Sequence, residues 1–208
     1  MLSDKVINFI QQNVQLIEKE KFDDLFWECK REAFDEVDVF QLKNVLLASD
    51  IDPLEKLTVI PQYYFHEDTL LKSFVCKPQV KIIEASAFYG STLKKIELSN
   101  VFELGSCSLA NCKQLTDIYL PDTVHKIFPC CFESDFHLEK LSMGKYIKIL
   151  DNHAFADCIH LTHIRFRGLV EEWDNLSKCK YWDEGSYLEG IICDDGVRYI
   201  HSVRMLGL

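Results

Sequence analysis

A pattern of large apolar residues recurs through the middle of the chain at intervals of 21 to 23 residues. The anchor residues of this pattern are Phe65, Phe88, Leu109, Phe132 and Phe155. An aliphatic residue stands five positions before each anchor, and a small residue usually precedes the anchor directly. After each anchor comes the pattern L-x-x-I-x-L, as in Leu115, Ile118 and Leu120. A unit of this length cannot bury its own apolar face, so the five units are predicted to stack into a solenoid with one continuous core.

The second half of each unit alternates between apolar and polar residues. Ile118 and Leu120 are expected to point into the core, while Asp117 and Tyr119 point out. A period of two is the signature of a strand, and stacking places the strands of successive units side by side. The sequence therefore predicts an α+β protein, a leucine-rich-repeat solenoid with a parallel concave sheet.

The outward positions of these strands form a ladder that is free to vary for recognition. The ladder begins with Ser73 and Val75, includes Ser142, and is mixed in charge. Seven residues of the ladder are predicted to bind a partner: Lys95, Glu97, Asp117, Tyr119, Lys140, His163 and Arg165. Tyr119 and Arg165 are the best anchors for a partner because aromatic residues and arginine are enriched at interface hot spots. They lie two units apart, which predicts a separation of about 10 Å along the sheet.

Both ends of the chain depart from the repeat. Residues 1–56 are predicted to form a small helical N-terminal domain, with Ser3 as an N-cap and later helices over residues 22–34 and 38–48. Residues 57–170 hold the five repeats. Residues 171–208 are predicted to be a C-terminal cap, in which Trp173, Trp182 and Tyr187 cover the last unit.

Several units resemble the BspA-like leucine-rich-repeat family. The residues that carry the resemblance are the stretch 83–88 (IEASAF), the stretch 150–158 (LDNHAFADC) with the 161–164 step that follows it, and the pair Leu120-Pro121. The resemblance covers about residues 57–200 and implies a scaffold that serves many different partners. Many members of the family are secreted surface proteins. The helical leader resembles those of repeat proteins from phages and mobile elements.

Charge and cysteine content limit the environment and the partners. The net charge of −10 is divided into −6 for residues 1–56, zero for residues 57–170 and −4 for residues 171–208, and it disfavours binding to a nucleic-acid backbone. The nine cysteines are an odd number without a CxxC pair, and several fall at core positions, which indicates free thiols in a reducing compartment. The apolar runs are too short to cross a membrane, and the first residues do not read as a signal peptide. A cytoplasmic location is therefore expected.

Motifs of catalysis are absent from the sequence. There is no GxSxG, P-loop, GxGxxG or HExxH motif. His160 and His163, with His153 and Cys158 nearby, suggest zinc, but their spacing matches no common site. We therefore predict no catalytic, cofactor-binding or metal-binding residues, and no enzyme activity.

Two functions remain open at this point. The first is a protein-binding module that recognises a macromolecular partner through its concave face and ends. The alternative is an acidic phage-encoded inhibitor, similar in kind to an anti-CRISPR protein, that occupies a basic surface of a host defence or nucleic-acid enzyme. The alternative would bind through the acidic helices, at Asp23, Asp24 and Glu28. The oligomeric state is left open by both.

Overall fold

The computed structural model describes residues 2–200. The helices are α1 (Asp4–Gln12), α2 (Val14–Glu18), α3 (Phe22–Arg31), α4 (Glu36–Ala48) and α5 (Val170–Asp174), with a short 3-10 helix at Pro53–Glu55. The strands are β1 (Val59–Ile60), β2 (Ser73–Val75), β3 (Ile82–Ile83), β4 (Lys95–Glu97), β5 (Glu103–Leu104), β6 (Asp117–Tyr119), β7 (Lys126–Ile127), β8 (Lys140–Gly144), β9 (Ile149–Leu150), β10 (His163–Arg167), β11 (Ser177–Lys178), β12 (Gly190–Ile192) and β13 (Val197–Tyr199).

Successive strands alternate between two walls of the solenoid. The odd-numbered strands from β1 to β11 form a six-stranded parallel sheet, here called the outer sheet. The opposite wall, here called the groove sheet, consists of the parallel pair β2–β4 followed by β6, β8, β10 and β12, with β13 antiparallel at its end. This arrangement confirms the predicted solenoid and its parallel sheet.

The predicted core positions are buried between the two walls. Ile118 lies opposite Leu141 on the neighbouring strand and is 5% exposed, while Tyr119 beside it is 58% exposed. The anchor rings stack from turn to turn, with centroids 4.9 Å apart for Phe65 and Phe88 and 5.3 Å apart for Phe132 and Phe155. The spacing of the anchors in the sequence is therefore the spacing of one layer of core on the next.

Each of the five predicted turns contains a pair of left-handed residues that the apolar pattern does not reveal. In each pair, one residue stands two positions before the anchor and the other stands two positions after it. They are Tyr63 and Glu67, Ser86 and Gly90, Cys107 and Asn111, Cys130 and Ser134, and His153 and Asp157, with φ between 51° and 67°. Positive φ is uncommon outside glycine, and small polar residues tolerate it best. These positions bend the chain from the outer sheet towards the groove sheet.

The array continues for a sixth turn beyond the five that the sequence predicts. β11 adds a sixth strand to the outer sheet, and the Phe155 N–H donates to the Trp182 carbonyl at 2.8 Å, as the Phe132 N–H donates to the Ala154 carbonyl. Trp182 therefore stands at the position just before the anchor, and its buried ring fills the core there. Leu188, Ile191 and Cys193 then supply a buried L-x-x-I-x-L pattern. The interval from Leu161 to Leu188 is 27 residues, because α5 is inserted before β11. This insertion hides the sixth turn from a search at a fixed period.

Two of the three aromatic residues assigned to the cap are core residues. Trp173 and Trp182 are buried, with ring centroids 5.8 Å apart. The assignment of Tyr187 to the covering core is wrong, because its side chain is 68% exposed. Leu188 takes the leucine position of the sixth turn and is buried, which turns the preceding side chain outward.

The helical leader packs against the first turn through polar contacts as well as apolar ones. The Asp23 carboxylate accepts hydrogen bonds from the Thr58 N–H (3.1 Å) and the Thr58 hydroxyl (2.6 Å). Lys43 is buried, donates to the Tyr64 carbonyl at 2.9 Å, and lies 3.7 Å from Asp68. Burial lowers the pKa of Lys43, and the Asp68 carboxylate partly offsets this effect. These bonds join helices α3 and α4 to the start of the array.

The helices agree in part with the sequence prediction. Ser3 is the N-cap of α1 and accepts a hydrogen bond from the Val6 N–H at 3.2 Å. The spacing of Val6, Ile10, Val14 and Ile17 predicts one helix after Ser3. The chain instead breaks at Asn13, whose side-chain amide donates to the Phe9 carbonyl at 3.0 Å, so these residues are divided between α1 and α2. Val14 is consequently exposed.

One buried ladder contains an acid among thiols. Ser91, Cys112, Asp135 and Cys158 share the third position after the anchor in successive turns. The thiols donate to anchor carbonyls of the preceding turn, Cys112 to Phe88 at 3.2 Å and Cys158 to Phe132 at 3.0 Å. Asp135 is fully buried, and one carboxylate oxygen accepts the Cys112 N–H at 2.7 Å while the other has no hydrogen-bond partner. Burial raises the pKa of Asp135 well above its usual value.

Candidate partner-binding groove

A groove of about 740 Å³ crosses strands β4, β6, β8 and β10 of the groove sheet. All seven residues predicted to bind a partner line it, together with Ser142, whereas Ser73 and Val75 at the start of the ladder do not. Lys95, Asp117, Lys140 and His163 form one row across the strands. Glu97, Tyr119, Ser142 and Arg165 form the next row. Register pairs Tyr119 with Ser142 and Ser142 with Arg165, so Tyr119 and Arg165 are two strands apart, as the sequence predicts.

Charged side chains in the groove are paired with one another. Lys95 Nζ lies 2.7 Å from Glu97 Oε1, and the Glu97 carboxylate raises the pKa of Lys95. Lys140 Nζ lies 3.4 Å from Asp117 Oδ1 on the adjacent strand. Such exposed pairs add little stability. Their effect on the groove is electrostatic, because they leave a surface without a dominant sign of charge.

Arg165 and Asp194 form an ion pair at the C-terminal end of the groove. The Arg165 guanidinium also donates to the Ile192 carbonyl at 3.0 Å. The side chain of Ile192 is 40% exposed and lines the groove. The sequence reasoning missed Asp194 and Ile192, because both belong to the sixth turn that it took for a cap. The Leu188-x-x-Ile191-x-Cys193 pattern is the signal that would have found them.

Tyr119, near the middle of the groove, is held in place by an arginine that the sequence reasoning also missed. The Arg167 guanidinium lies 4.1 Å from the centroid of the Tyr119 ring. Arg167 also donates to the Leu120 carbonyl (2.8 Å), to the Ser142 hydroxyl (2.8 Å) and to Asp122 (2.6 Å). It therefore reaches from β10 across β8 to the end of β6. An aromatic ring fixed in this way loses little conformational entropy when a partner covers it.

The absence of a side chain at position 144 permits this reach. A Cβ atom on Gly144 would lie 2.2 Å from Asp122 Oδ1 and 3.1 Å from Asp122 Cα. Asp122 is the carboxylate that Arg167 binds. Gly144 thus keeps the space between β6 and β10 open for the Arg167–Asp122 ion pair. In the sequence, the signal was the extension of outward alternation from Arg165 to Arg167.

The acidic residues named for the alternative function do not form a separate free surface. Asp23 is occupied by the Thr58 backbone and hydroxyl. Glu28 forms an ion pair with Arg31, with the closer oxygen at 2.6 Å. Asp24 is the most exposed of the three, with Lys21 at 4.0 Å. None of the three lines the groove.

The histidines and cysteine considered for zinc lie in different environments. His153 pairs with Glu184 at 3.1 Å, and the His160 ring stacks on His137 with centroids 6.0 Å apart. His163 lines the groove, whereas Cys158 is in the core. Within residues 2–200, no group of three or more histidine, cysteine or acidic residues is placed to hold a metal ion. In the same residues, no helix combines the length and apolar character needed to cross a bilayer.

Comparison with known proteins identifies the repeats. The family profile described as the BspA type leucine rich repeat region matches residues 58–179 in six copies. A crystal structure of a leucine rich cell surface protein from Faecalibacterium prausnitzii A2-165 superposes with a TM-score of 0.57 at 25% sequence identity. The match covers 58% of this chain and 32% of that one, so the chain spans about a third of that protein. No curated protein matches.

Proposed function

The chain belongs to the BspA-type leucine-rich-repeat family, and from that premise we propose that it is a non-catalytic module that binds another protein in the groove of its groove sheet. Repeats of this kind generally mediate protein binding. The observation that carries the proposal is the fixed, half-exposed Tyr119 in a groove whose charges are already paired.

The paired charges favour a protein partner over a nucleic acid. Binding to a phosphate backbone needs a stripe of free cations. In the groove, Lys95, Lys140 and Arg165 each have a carboxylate within ion-pair distance. A partner surface of mixed charge can exchange with these pairs, while an apolar side chain covers Tyr119 and Ile192. This combination of an aromatic anchor and a polar rim is typical of protein interfaces.

The groove is large enough to be the centre of such an interface. Its four strands are spaced at about 4.8 Å each, so the lined surface extends about 15 Å along the solenoid. A standard interface buries about 800 Å² on each partner. The partner would therefore extend past the groove, towards β2 on one side and the sixth turn on the other. We propose that residues 2–56 of the leader and residues 171–200 of the closing segment flank a binding surface that lies mostly on residues 57–170 and ends at Ile192.

The acidic-inhibitor function is the second candidate, and we place it below the first. It is supported by the −6 charge of residues 1–56. It is weakened because Asp23 and Glu28 are engaged within the protein. The change Asp24→Lys reverses an exposed charge and leaves both of those interactions in place. The inhibitor function predicts that this change slows association with a basic partner and reduces its dependence on salt, whereas groove binding predicts no effect.

The cytoplasmic location also stays a proposal. It rests on the nine cysteines, of which six are buried. The structurally similar protein is described as a cell surface protein. Fractionation of the native host with an antibody to this chain would separate the two locations.

A site-specific crosslinker tests where the partner binds. Tyr119 is replaced by the photoreactive aromatic p-benzoylphenylalanine, and the matched control carries it at Tyr146. Tyr146 is an exposed tyrosine outside the groove, after β8. Groove binding predicts that one protein of the native host crosslinks from position 119 and not from position 146. Equal crosslinking from both positions, or crosslinking from 146 alone, would contradict the proposal.

A further inference from the structure

Two cysteines occupy the same position of successive turns. Cys107 and Cys130 are 23 residues apart, and each stands directly before the small residue that precedes an anchor. Both have left-handed backbones, with φ of 55° and 57°. Equivalent residues of neighbouring turns lie about 4.8 Å apart. Because the two backbones have the same conformation at this spacing, their Cα–Cβ bonds run side by side and direct the thiols to the same corner of the solenoid.

Contacts along the two turns place the sulfurs next to each other. The Cys107 N–H donates to the Pro129 carbonyl at 3.0 Å, which fixes one turn on the other. One residue further along, Ser108 Oγ and Cys131 Sγ are 3.5 Å apart. Two residues further along, the Leu109 N–H donates to the Cys131 carbonyl at 3.1 Å, so the backbone bonds on both sides of Cys107 keep the two turns in register. Disulfides usually join residues whose Cα atoms are 4.4–6.8 Å apart, a range that includes the spacing of adjacent turns.

Exposure separates this pair from the other thiols of the array. Cys112, Cys131 and Cys158 are fully buried, whereas Cys107 and Cys130 are partly exposed. A solvent-borne oxidant can therefore reach the pair without opening the core. Cys179 is also partly exposed, but its thiol donates to Asp151 at 3.4 Å. It serves as the natural control.

We propose that Cys107 and Cys130 are a modification site that closes reversibly into a disulfide in exchange with small disulfides such as oxidised glutathione. The Cys107 thiolate attacks one sulfur of the small disulfide, forms a mixed disulfide and releases one small thiol. Cys130 loses its proton to solvent and attacks the Cys107 sulfur, which releases the second small thiol. Two protein thiols are oxidised and one small disulfide is reduced to two thiols, so electrons and protons balance.

The surroundings of the two thiols set the order of attack. Burial and the nearby Glu133 carboxylate raise the pKa of Cys130 to about 12. Burial also raises the pKa of Cys107, but the neighbouring Cys130 thiol partly offsets this rise. Since the thiolate is the attacking form, Cys107 reacts first and Cys130 resolves. The nearby Glu133 carboxylate disfavours both thiolates, so the change Glu133→Gln is expected to speed closure.

The bond would link the third and fourth turns at the corner that leads into the groove sheet. β6 and β8, which follow these two turns, carry Tyr119 and Ser142. Each cysteine stands twelve residues before its groove residue and does not line the groove, so the crosslink should tighten the array without altering the groove. It closes a loop of 23 residues, and constraining such a loop in the unfolded chain raises stability.

The test is oxidation of the purified full chain with oxidised glutathione, followed by peptide mass spectrometry. The expected product joins the peptides of Cys107 and Cys130 and has lost two hydrogen atoms. The count of free thiols after unfolding falls from nine to seven. The melting temperature rises by several degrees, about 5 °C, and returns to its starting value with a thiol reductant.

Matched variants separate the proposed pair from a general oxidation of thiols. Cys107→Ser and Cys130→Ser should each abolish the crosslinked peptide and the rise in melting temperature, and Cys179→Ser should change neither. Circular dichroism of each reduced variant checks that it is folded. Crosslinks at other cysteines in the folded wild type, or stable glutathione adducts on Cys107 and Cys130 without closure, would overturn the proposal.

Discussion

The repeat array and the helical leader of this protein differ in how their apolar residues are used. In the array, anchors such as Phe88 and Phe132 are fully buried, and each layer of core covers the next. In the leader, α4 buries Val39, Leu42 and Leu46 but leaves Phe40 54% exposed. A helix that is apolar all round usually has a neighbour on every side. The comparison shows that stacking uses every periodic position, whereas a helix at the end of a solenoid uses the face that meets the first turn.

The same difference decides what a sequence reveals. In the array, a residue's role is repeated in five or six turns, so Ile118 can be assigned to the core by comparison with Ile96 and Ile164. The leader has a single copy of each helix, and its boundaries depend on local interactions such as the cap at Asn13. Repetition is therefore the stronger source of information.

Replacing a core residue in the middle of the array should have the largest effect. Ile118→Asp places a charge without a partner between the two walls, at a cost of several kcal/mol. This cost approaches the 5–15 kcal/mol that stabilises a typical domain. We expect loss of the cooperative thermal transition in circular dichroism. The control is Tyr119→Asp on the same strand, which should melt near the wild type. A folded Ile118→Asp protein would show that the strand phase is misassigned.

The buried acid offers a change that should stabilise the array. Asp135→Cys installs the residue that two other turns have at this position, with the Leu109 carbonyl as the equivalent acceptor. It removes a carboxylate oxygen without a partner, and we expect a gain of about 1–3 kcal/mol in the free energy of unfolding near neutral pH. Chemical denaturation of both proteins measures the difference. A destabilised variant would mean that the bond from Cys112 to Asp135 is worth more than the burial of the acid.

The pH dependence of this difference has a definite sign. The pKa of Asp135 is raised in the folded protein, so the unfolded chain loses its proton first as the pH increases. Below about pH 4 the acid is neutral in both states and adds no penalty. Above that pH the wild type loses stability relative to Asp135→Cys, and the gap should widen towards neutral pH. Unfolding curves of both proteins at pH 4 and pH 7 measure this difference in the free energy of unfolding. A difference that is smaller at pH 7 than at pH 4 would contradict the raised pKa of Asp135.

The junction between the two regions should give a smaller effect. Asp23→Ala removes the acceptor for the Thr58 N–H and hydroxyl, and we expect a loss of about 1–2 kcal/mol. The neighbouring change Asp24→Ala removes an exposed carboxylate and should cost less than about 0.5 kcal/mol. Chemical denaturation monitored by circular dichroism measures both. Equal effects of the two changes would show that Asp23 does not join the leader to the array.

The sequence predicted the outward strand residues that line the groove, but it did not predict the residues of other turns that contact them. All seven residues predicted to bind a partner line the groove because alternation within a strand fixes which side chains point outward. Arg167 was missed because its role depends on β10 being longer than the three-residue strands β2, β4 and β6 and on the open space at Gly144. Asp194 and Ile192 were missed because α5 shifts the sixth turn out of period. Contacts that span several turns are not visible in a pattern that compares equivalent positions one at a time.

The central claim is that a protein partner binds in the groove. The most direct test is the affinity of the Tyr119→Ala variant for the partner that the crosslinking experiment identifies. If the groove binds the partner, isothermal titration calorimetry should show a loss of about 2 kcal/mol or more, roughly 30-fold in Kd. The control variant, Tyr146→Ala, should bind as the wild type does, and both variants should keep the wild-type melting temperature. An unchanged Kd for Tyr119→Ala would contradict the account and place the binding surface outside the groove.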